Sequence, residues 1–229
     1  MIKKIIKNVM VYFTKGNVGL NDFKKYALNH SAELQVDGFF HKYEGEMLEK
    51  YFDQIKEKLG SLIRKNDVIL EIGCGTGRYL KYIEAKLGTD VKLYGTDITR
   101  ETIENITQKN VSPAVNLYVG DFIKEANFKG GQFDFLYSIS VLQYVPFFKI
   151  SAYFNKVKEL LKNGGTSYLI FAPKKNKLPN FINSLTDFSF TAYDPEWIIR
   201  KLNKKFTVIE RDYIYVDGNV YGYYILFRN

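Results

Sequence analysis

Residues 68–80 read Val-Ile-Leu-Glu-Ile-Gly-Cys-Gly-Thr-Gly-Arg-Tyr-Leu, and no other stretch restricts the fold as strongly. Five residues of mainly apolar character suit a buried strand, three alternating glycines force a tight turn, and the residues after them suit a helix start. Gly73, Gly75 and Gly77 lack a Cβ, so the chain can adopt positive φ there and approach a ligand closely. The following helix N-terminus offers backbone N–H groups to a carboxylate or phosphate. Strand, glycine turn and helix in this order predict a nucleotide-type cradle at the edge of an α/β sheet.

The glycine spacing narrows the ligand. A dinucleotide turn reads G-x-G-x-x-G, with its third glycine beneath a pyrophosphate. Here Glu71 precedes Gly73 by two positions and the glycines alternate strictly. An acid at that point repels a pyrophosphate but suits a ligand with an ammonium and a sulfonium. The segment resembles the first motif of the class I S-adenosylmethionine-dependent methyltransferases, and the resemblance extends along the chain.

Residues 91–97 read as a second strand ending in Asp97, about twenty residues past the glycines, where an acid can accept ribose hydroxyls. The same carboxylate could equally cap the helix that follows. Residues 116–122 form a third apolar run closed by Gly120 and Asp121. The resemblance gives Asp121 the adenine amino group and lays Phe122 against the ring. Residues 133–138 and 139–145 are similar to the family segment that passes under the methionine end of the cofactor and opens toward the acceptor. Cofactor binding is thereby assigned to Glu71, Gly73, Cys74, Gly75, Gly77, Asp97, Ile98, Asp121, Phe122 and Ser138. Gln143 and Tyr144 stand where relatives often carry histidine, so no general base is assigned. The Asn-Pro-Pro-Tyr type of signature is replaced by 138–141, Ser-Ile-Ser-Val, which argues against adenine or glutamine as acceptor.

A glycine cap is expected to end a helix at 160–165, with a fifth strand over 167–172. Asp194 and Pro195 provide an N-cap and first helical residue. Two strand-like runs, 206–216 and 220–227, flank Asp217, Gly218 and Asn219 and predict a hairpin. The resemblance covers roughly residues 62–229. It implies an α/β, doubly wound seven-stranded sheet with an antiparallel C-terminal strand. The expected organisation is an N-terminal helical extension or lid over 1–60 and a cofactor-binding domain over 61–229.

Composition sets outer limits. A chain of 229 residues with 46% hydrophobic content can bury such a sheet with helices on both faces. No run approaches the roughly 20 apolar residues of a membrane span, and residues 1–11 mix lysine with apolar residues as a docked or weakly membrane-adhering helix would. One cysteine, Cys74, excludes an intrachain disulfide, and its place in the turn suits packing better than nucleophilic chemistry. No metal is expected, because His30 and His41 are the only histidines. A cytoplasmic setting is expected.

Residues 20–59 are helical in pattern, with Tyr43, Met47, Leu48, Tyr51, Phe52 and Ile55 recurring on one face. His41 and Tyr43, at the entry to this helix, are candidates for the acceptor wall together with Gln143 and Tyr144. Residues 173–193, rich in lysine and aromatics, are a second candidate acceptor segment. The net charge of +8 is spread among acidic residues without a basic block, which argues against nucleic acid as partner. These features predict S-adenosylmethionine-dependent methylation of an oxygen or nitrogen on a small-molecule acceptor, a sugar or surface-polysaccharide precursor being one candidate. The competing readings are an RNA or protein methyltransferase and a non-catalytic cofactor-binding subunit.

Overall fold

The computed structural model describes residues 45–104, 108–124, 127–172 and 192–229. Helix α1 (Gly45–Leu62) leads into strand β1 (Val68–Ile72), followed by helix α2 (Arg78–Leu87), strand β2 (Lys92–Asp97) and strand β3 (Asn116–Val119). Strand β4 (Phe133–Ser138), helix α3 (Ile150–Leu160), strand β5 (Leu161–Phe171), helix α4 (Pro195–Leu202), strand β6 (Thr207–Val216) and strand β7 (Asn219–Arg228) complete the order.

The strands form one seven-stranded sheet in the order β3-β2-β1-β4-β5-β7-β6. β1 to β5 run parallel, and β7 enters antiparallel beside β5. β1 sits inside the sheet with both faces covered, which is why its apolar run is nearly continuous. Successive residues serve opposite faces: Ile69 packs with Leu59 and Leu80, whereas Leu70 and Ile72 pack with Val157 and Leu169. Chain order proceeds from β1 through β2 to β3 on one side and from β4 to β5 on the other. This reversal opens a crevice at the carboxyl ends of β1 and β4, the place where such sheets bind ligands.

The helices follow their expected stripes. Tyr51, Phe52, Ile55 and Leu59 of α1 are buried in the same core as α2, and α1 runs across residue 60 without a break. At α4, Asp194 accepts the Trp197 N–H at 2.9 Å and Pro195 occupies the first turn. The β6–β7 hairpin turns at Asp217 and Gly218, with φ values of 48° and 79°, as a two-residue primed turn requires.

The glycine cap expected after α3 is a correction. α3 ends at Leu160, and β5 begins at Leu161, earlier than the expected 167. Gly164 has φ 79° and donates its N–H to the Asn229 carbonyl, while Asn229 donates to Gly165. The glycines therefore serve the β5–β7 ladder. Asn229 Nδ2 reaches the Leu161 carbonyl at 3.1 Å and the Lys158 carbonyl at 3.3 Å, supplying donors at the end of α3.

Candidate cofactor and acceptor cavity

The glycine turn is fastened to the end of β2. The Gly73 and Cys74 N–H groups both donate to the Thr96 carbonyl, at 2.7 and 3.0 Å. The Gly75 N–H donates to Asp97 Oδ2 at 3.1 Å, and the Thr99 N–H to Asp97 Oδ1 at 2.9 Å. Gly73, Gly75 and Gly77 have φ of 72°, 51° and 75°, a region that side-chain-bearing residues enter only with strain. A Cβ on Gly73 would lie 2.2 Å from Val141 Cγ2, whereas one on Gly75 would meet nothing within 4 Å. Gly73 thus lets the turn close against the segment after β4, and Gly75 leaves its face open to a ligand.

That face borders a cavity of about 280 Å³ at the carboxyl ends of the central strands. Small-ligand pockets begin near roughly 300 Å³, so its size suits a nucleoside-scale molecule. Glu71, Gly73, Cys74, Gly75, Asp97, Ile98, Asp121 and Phe122 all line it, and so do Gln143 and Tyr144. The sequence thereby assembled most of its candidate positions around one space. Two behave differently. Ser138 is fully buried behind the wall and donates its hydroxyl to the Ile72 carbonyl at 3.0 Å, holding β4 to β1. Gly77 is the N-cap of α2, and its contribution is a left-handed backbone. His41 and Tyr43 lie outside the described residues, as do residues 173–191.

Asp97 joins the glycine turn to the cavity wall. It ties the glycine turn to the chain after β2, and it also lines the cavity. Burial pushes its pKa up, while the Thr99 and Gly75 N–H groups pull it back toward the charged form. β3 ends at Val119, so Asp121 and Phe122 stand in the turn beyond it. Asp121 Oδ1 accepts the Ile123 N–H at 3.1 Å, and Phe122 packs on Tyr153 with ring centroids 5.0 Å apart. Cys74 is buried, with its sulfur 3.1 Å from where a Gly95 Cβ would stand, in keeping with a packing role.

Several wall residues were not singled out by sequence. Phe52 of α1 contributes a ring over which the Arg78 guanidinium sits at 3.8 Å. Ser140 lines the cavity with φ 59°, an uncommon conformation for serine. Lys149 and Tyr153, one turn apart at the start of α3, complete the side away from the glycines. The signal for Arg78 was its place after the last glycine; Tyr153 and Phe52 offered only helical periodicity, which core residues share. Tyr193, part of the second candidate segment, is buried; its hydroxyl donates to the Val145 carbonyl and its ring stacks on Trp197. It anchors the loop after β4 to α4.

The phenols of Tyr79, Tyr144 and Tyr153 are all pushed upward by burial. They remain protonated at neutral pH and do not serve as bases. Among the described residues no group of three His, Cys, Asp or Glu is placed to hold a metal, and no helix is long and apolar enough to cross a membrane.

Comparison with known proteins bears on this architecture. Residues 69–165 match the family described as a methyltransferase domain. Sterol 24-C-methyltransferase of Saccharomyces cerevisiae is 27% identical over 153 residues, covering 64% of this chain and 37% of that protein. The chain therefore spans little more than a third of that relative's length. A chain from the Haloferax volcanii complex between the Trm112 activator and a methyltransferase superposes with a TM-score of 0.64 at 16% identity, covering 80% of this chain and 91% of that one. Geranyl diphosphate C-methyltransferase of Streptomyces coelicolor, solved with Mg2+, geranyl-S-thiolodiphosphate and S-adenosyl-L-homocysteine, gives 0.63 at 12% identity, covering 77% and 75%. At such identities the solved structures establish the shared fold.

Proposed function

We propose that the chain, whose residues 69–165 match a methyltransferase domain, is a class I S-adenosylmethionine-dependent methyltransferase that transfers a methyl group to an oxygen or nitrogen of a small-molecule acceptor. The observation that carries this reading is the meeting, around one cavity, of a glycine face open at Gly75 with Asp97 and Asp121 at successive strand ends. The residues fit the cofactor: Asp97 has lone pairs for two ribose hydroxyls, Asp121 can accept from an adenine amino group, and Phe122 offers an apolar edge beside it.

Bound there, S-adenosylmethionine supplies a methyl group already activated on a cationic sulfur. The chain's part is to align and desolvate. Gly73 brings the turn against Val141, which places the loop after β4 beside the cradle. Gln143 and Tyr144 border the same space and are proposed to orient the acceptor through hydrogen bonds. Since the described tyrosines of the wall stay protonated, an amine entering unprotonated, or an oxygen acceptor ionised beforehand, would need no base from them.

The test is release of S-adenosylhomocysteine by the full chain across a panel of small amines, alcohols and sugar derivatives, with RNA and peptides beside them. The named C-methyltransferases make carbon acceptors a necessary further arm. Turnover on a small amine or alcohol supports the reading; turnover confined to RNA or peptide replaces it; cofactor binding without turnover on any class points to a non-catalytic subunit.

A further inference from the structure

Among the described residues, Glu71 is an acid with no cation to balance it. It is 2% exposed, lies at the carboxyl end of β1, and pairs in register with Gly95 of β2 and Tyr137 of β4. Its carboxyl accepts the Tyr137 hydroxyl at 3.0 Å. Among the described residues, the groups that act on it from each neighbouring element are neutral or negative. They are the Tyr137 phenol from β4, Asp97 from β2, and the Tyr79 phenol with the Leu80 N–H from α2. Behind them, the Cys74 thiol acts electrostatically on Tyr137, and Tyr51, Tyr168 and the Arg78 cation act on Tyr79.

Among the described residues, no lysine, arginine or histidine nitrogen comes within 4.0 Å of Glu71. Of the two cations in the wall, Arg78 and Lys149, Arg78 is laid over the Phe52 ring and lies 3.8 Å from Glu49. An ionised carboxylate so enclosed would carry its desolvation cost without a partner.

We infer that the free chain holds Glu71 as a neutral carboxylic acid and that binding of the cofactor expels its proton to solvent, so that binding strengthens as pH rises. This rests on the reading of the cavity as a methionine-nucleoside site. Burial first, and then the charge of Asp97, raises the pKa of Glu71 well above its ordinary 4.5, with the Tyr137 hydrogen bond opposing in part. The phenols of Tyr137 and Tyr79 are themselves raised by burial and cannot give up the proton in its place. A ligand that brings an ammonium and a sulfonium into a cavity lined by Glu71 supplies the missing cation. The balance is simple: one O–H bond of Glu71 breaks, its electron pair stays on the carboxylate, and the proton passes to buffer. Asp97 is buried as well, but two backbone N–H groups already support its charged form.

Titration calorimetry of the full chain with S-adenosylmethionine and with S-adenosylhomocysteine, each in two buffers of different ionisation enthalpy, counts the protons. The window is about pH 6 to 7, below the α-amino range of about 7.7 to 8.0, so the ligand's ammonium does not titrate. The expected result is net proton release by the unaltered chain on binding, with Kd falling as pH rises through the window, by at most about tenfold per pH unit. Glu71→Gln should bind with no buffer-dependent heat and a flat pH profile, and Asp97→Asn, which removes a neighbouring charge that raises Glu71, should shift the proton release to lower pH. Should Glu71→Gln fail to fold, Tyr137→Phe removes the phenol donor and should move the pH dependence upward.

Binding by the unaltered chain without proton release would overturn the inference while leaving the cofactor reading intact. Proton release that persists in Glu71→Gln, or a pH dependence unmoved in Tyr137→Phe, would also overturn it. Failure of the unaltered chain to bind either nucleoside would bring down both.

Discussion

The two sides of the cavity are built by different means. On the β1–β2–β3 side backbone sets the shape of the wall and positions its acids: the turn is held by N–H groups of residues 73–75 donating to Thr96 and Asp97, and the Gly120 N–H donates to the Asp97 carbonyl. On the β4–α3 side the walls are side chains, among them Val141, Gln143, Tyr144, Lys149 and Tyr153. A wall made of backbone tolerates few residue types, since φ and close approach dictate them. A wall made of side chains tolerates many. The first side should therefore respond to substitution through fold and cofactor affinity, the second through acceptor chemistry.

The sharpest way to break this contrast is Gly73→Ala. Left-handed backbone costs an L-residue about 1–2 kcal/mol, and driving a methyl toward Val141 adds about 1–3 kcal/mol of overpacking. Denaturant unfolding should show the combined loss, and cofactor titration should show loss of binding. Gly75→Ala carries only the backbone cost, because nothing lies within 4 Å of its added Cβ. It should stay folded yet bind cofactor poorly. Equal behaviour of the two variants would mean that the turn is not packed as described.

Asp97→Ala comes next. It removes charge-assisted hydrogen bonds worth about 1.5–3 kcal/mol each, so the Kd for S-adenosylhomocysteine should rise roughly ten- to 150-fold for one such bond. A folded variant with unchanged affinity would reduce Asp97 to a clasp between the turn and Thr99.

On the other side, Tyr144→Phe and Gln143→Ala each delete a neutral hydrogen-bonding group worth about 0.5–1.5 kcal/mol. Methyl transfer should fall roughly two- to tenfold with cofactor affinity nearly unchanged. Parallel loss of both would erase the proposed division of the wall. The smallest effect at the cavity belongs to Asp194→Ala, which removes the α4 cap at a cost of about 1 kcal/mol in stability. Thermal unfolding should record that loss while cofactor affinity holds.

The same contrast explains what could be read from the chain. The turn at 73–77, the Asp194 cap and the hairpin at Asp217 and Gly218 were legible because each answers a backbone requirement, while strand spacing and the family resemblance put Asp97 and Asp121 beside the turn. The role of Gly164 was misread because a positive-φ glycine after a helix serves either a cap or a strand ladder, and only the pairing with Asn229 separates them. Ser138 was placed in the site by its position at a strand end, but facing inward it serves the Ile72 carbonyl. Phe52, Ser140 and Tyr153 were not singled out, because inclusion in a cavity wall depends on how α1, β4 and α3 converge. Nothing in their local pattern differs from that of core residues.

The central claim is that a cavity framed by the glycine turn and two strand-end acids accepts a methionine nucleoside. Equilibrium titration of the full chain with S-adenosylhomocysteine beside NAD tests it most directly, with thermal unfolding run on the same samples. The account predicts saturable binding and a raised unfolding temperature with S-adenosylhomocysteine, and no response to NAD. A response to NAD with none to S-adenosylhomocysteine would contradict it.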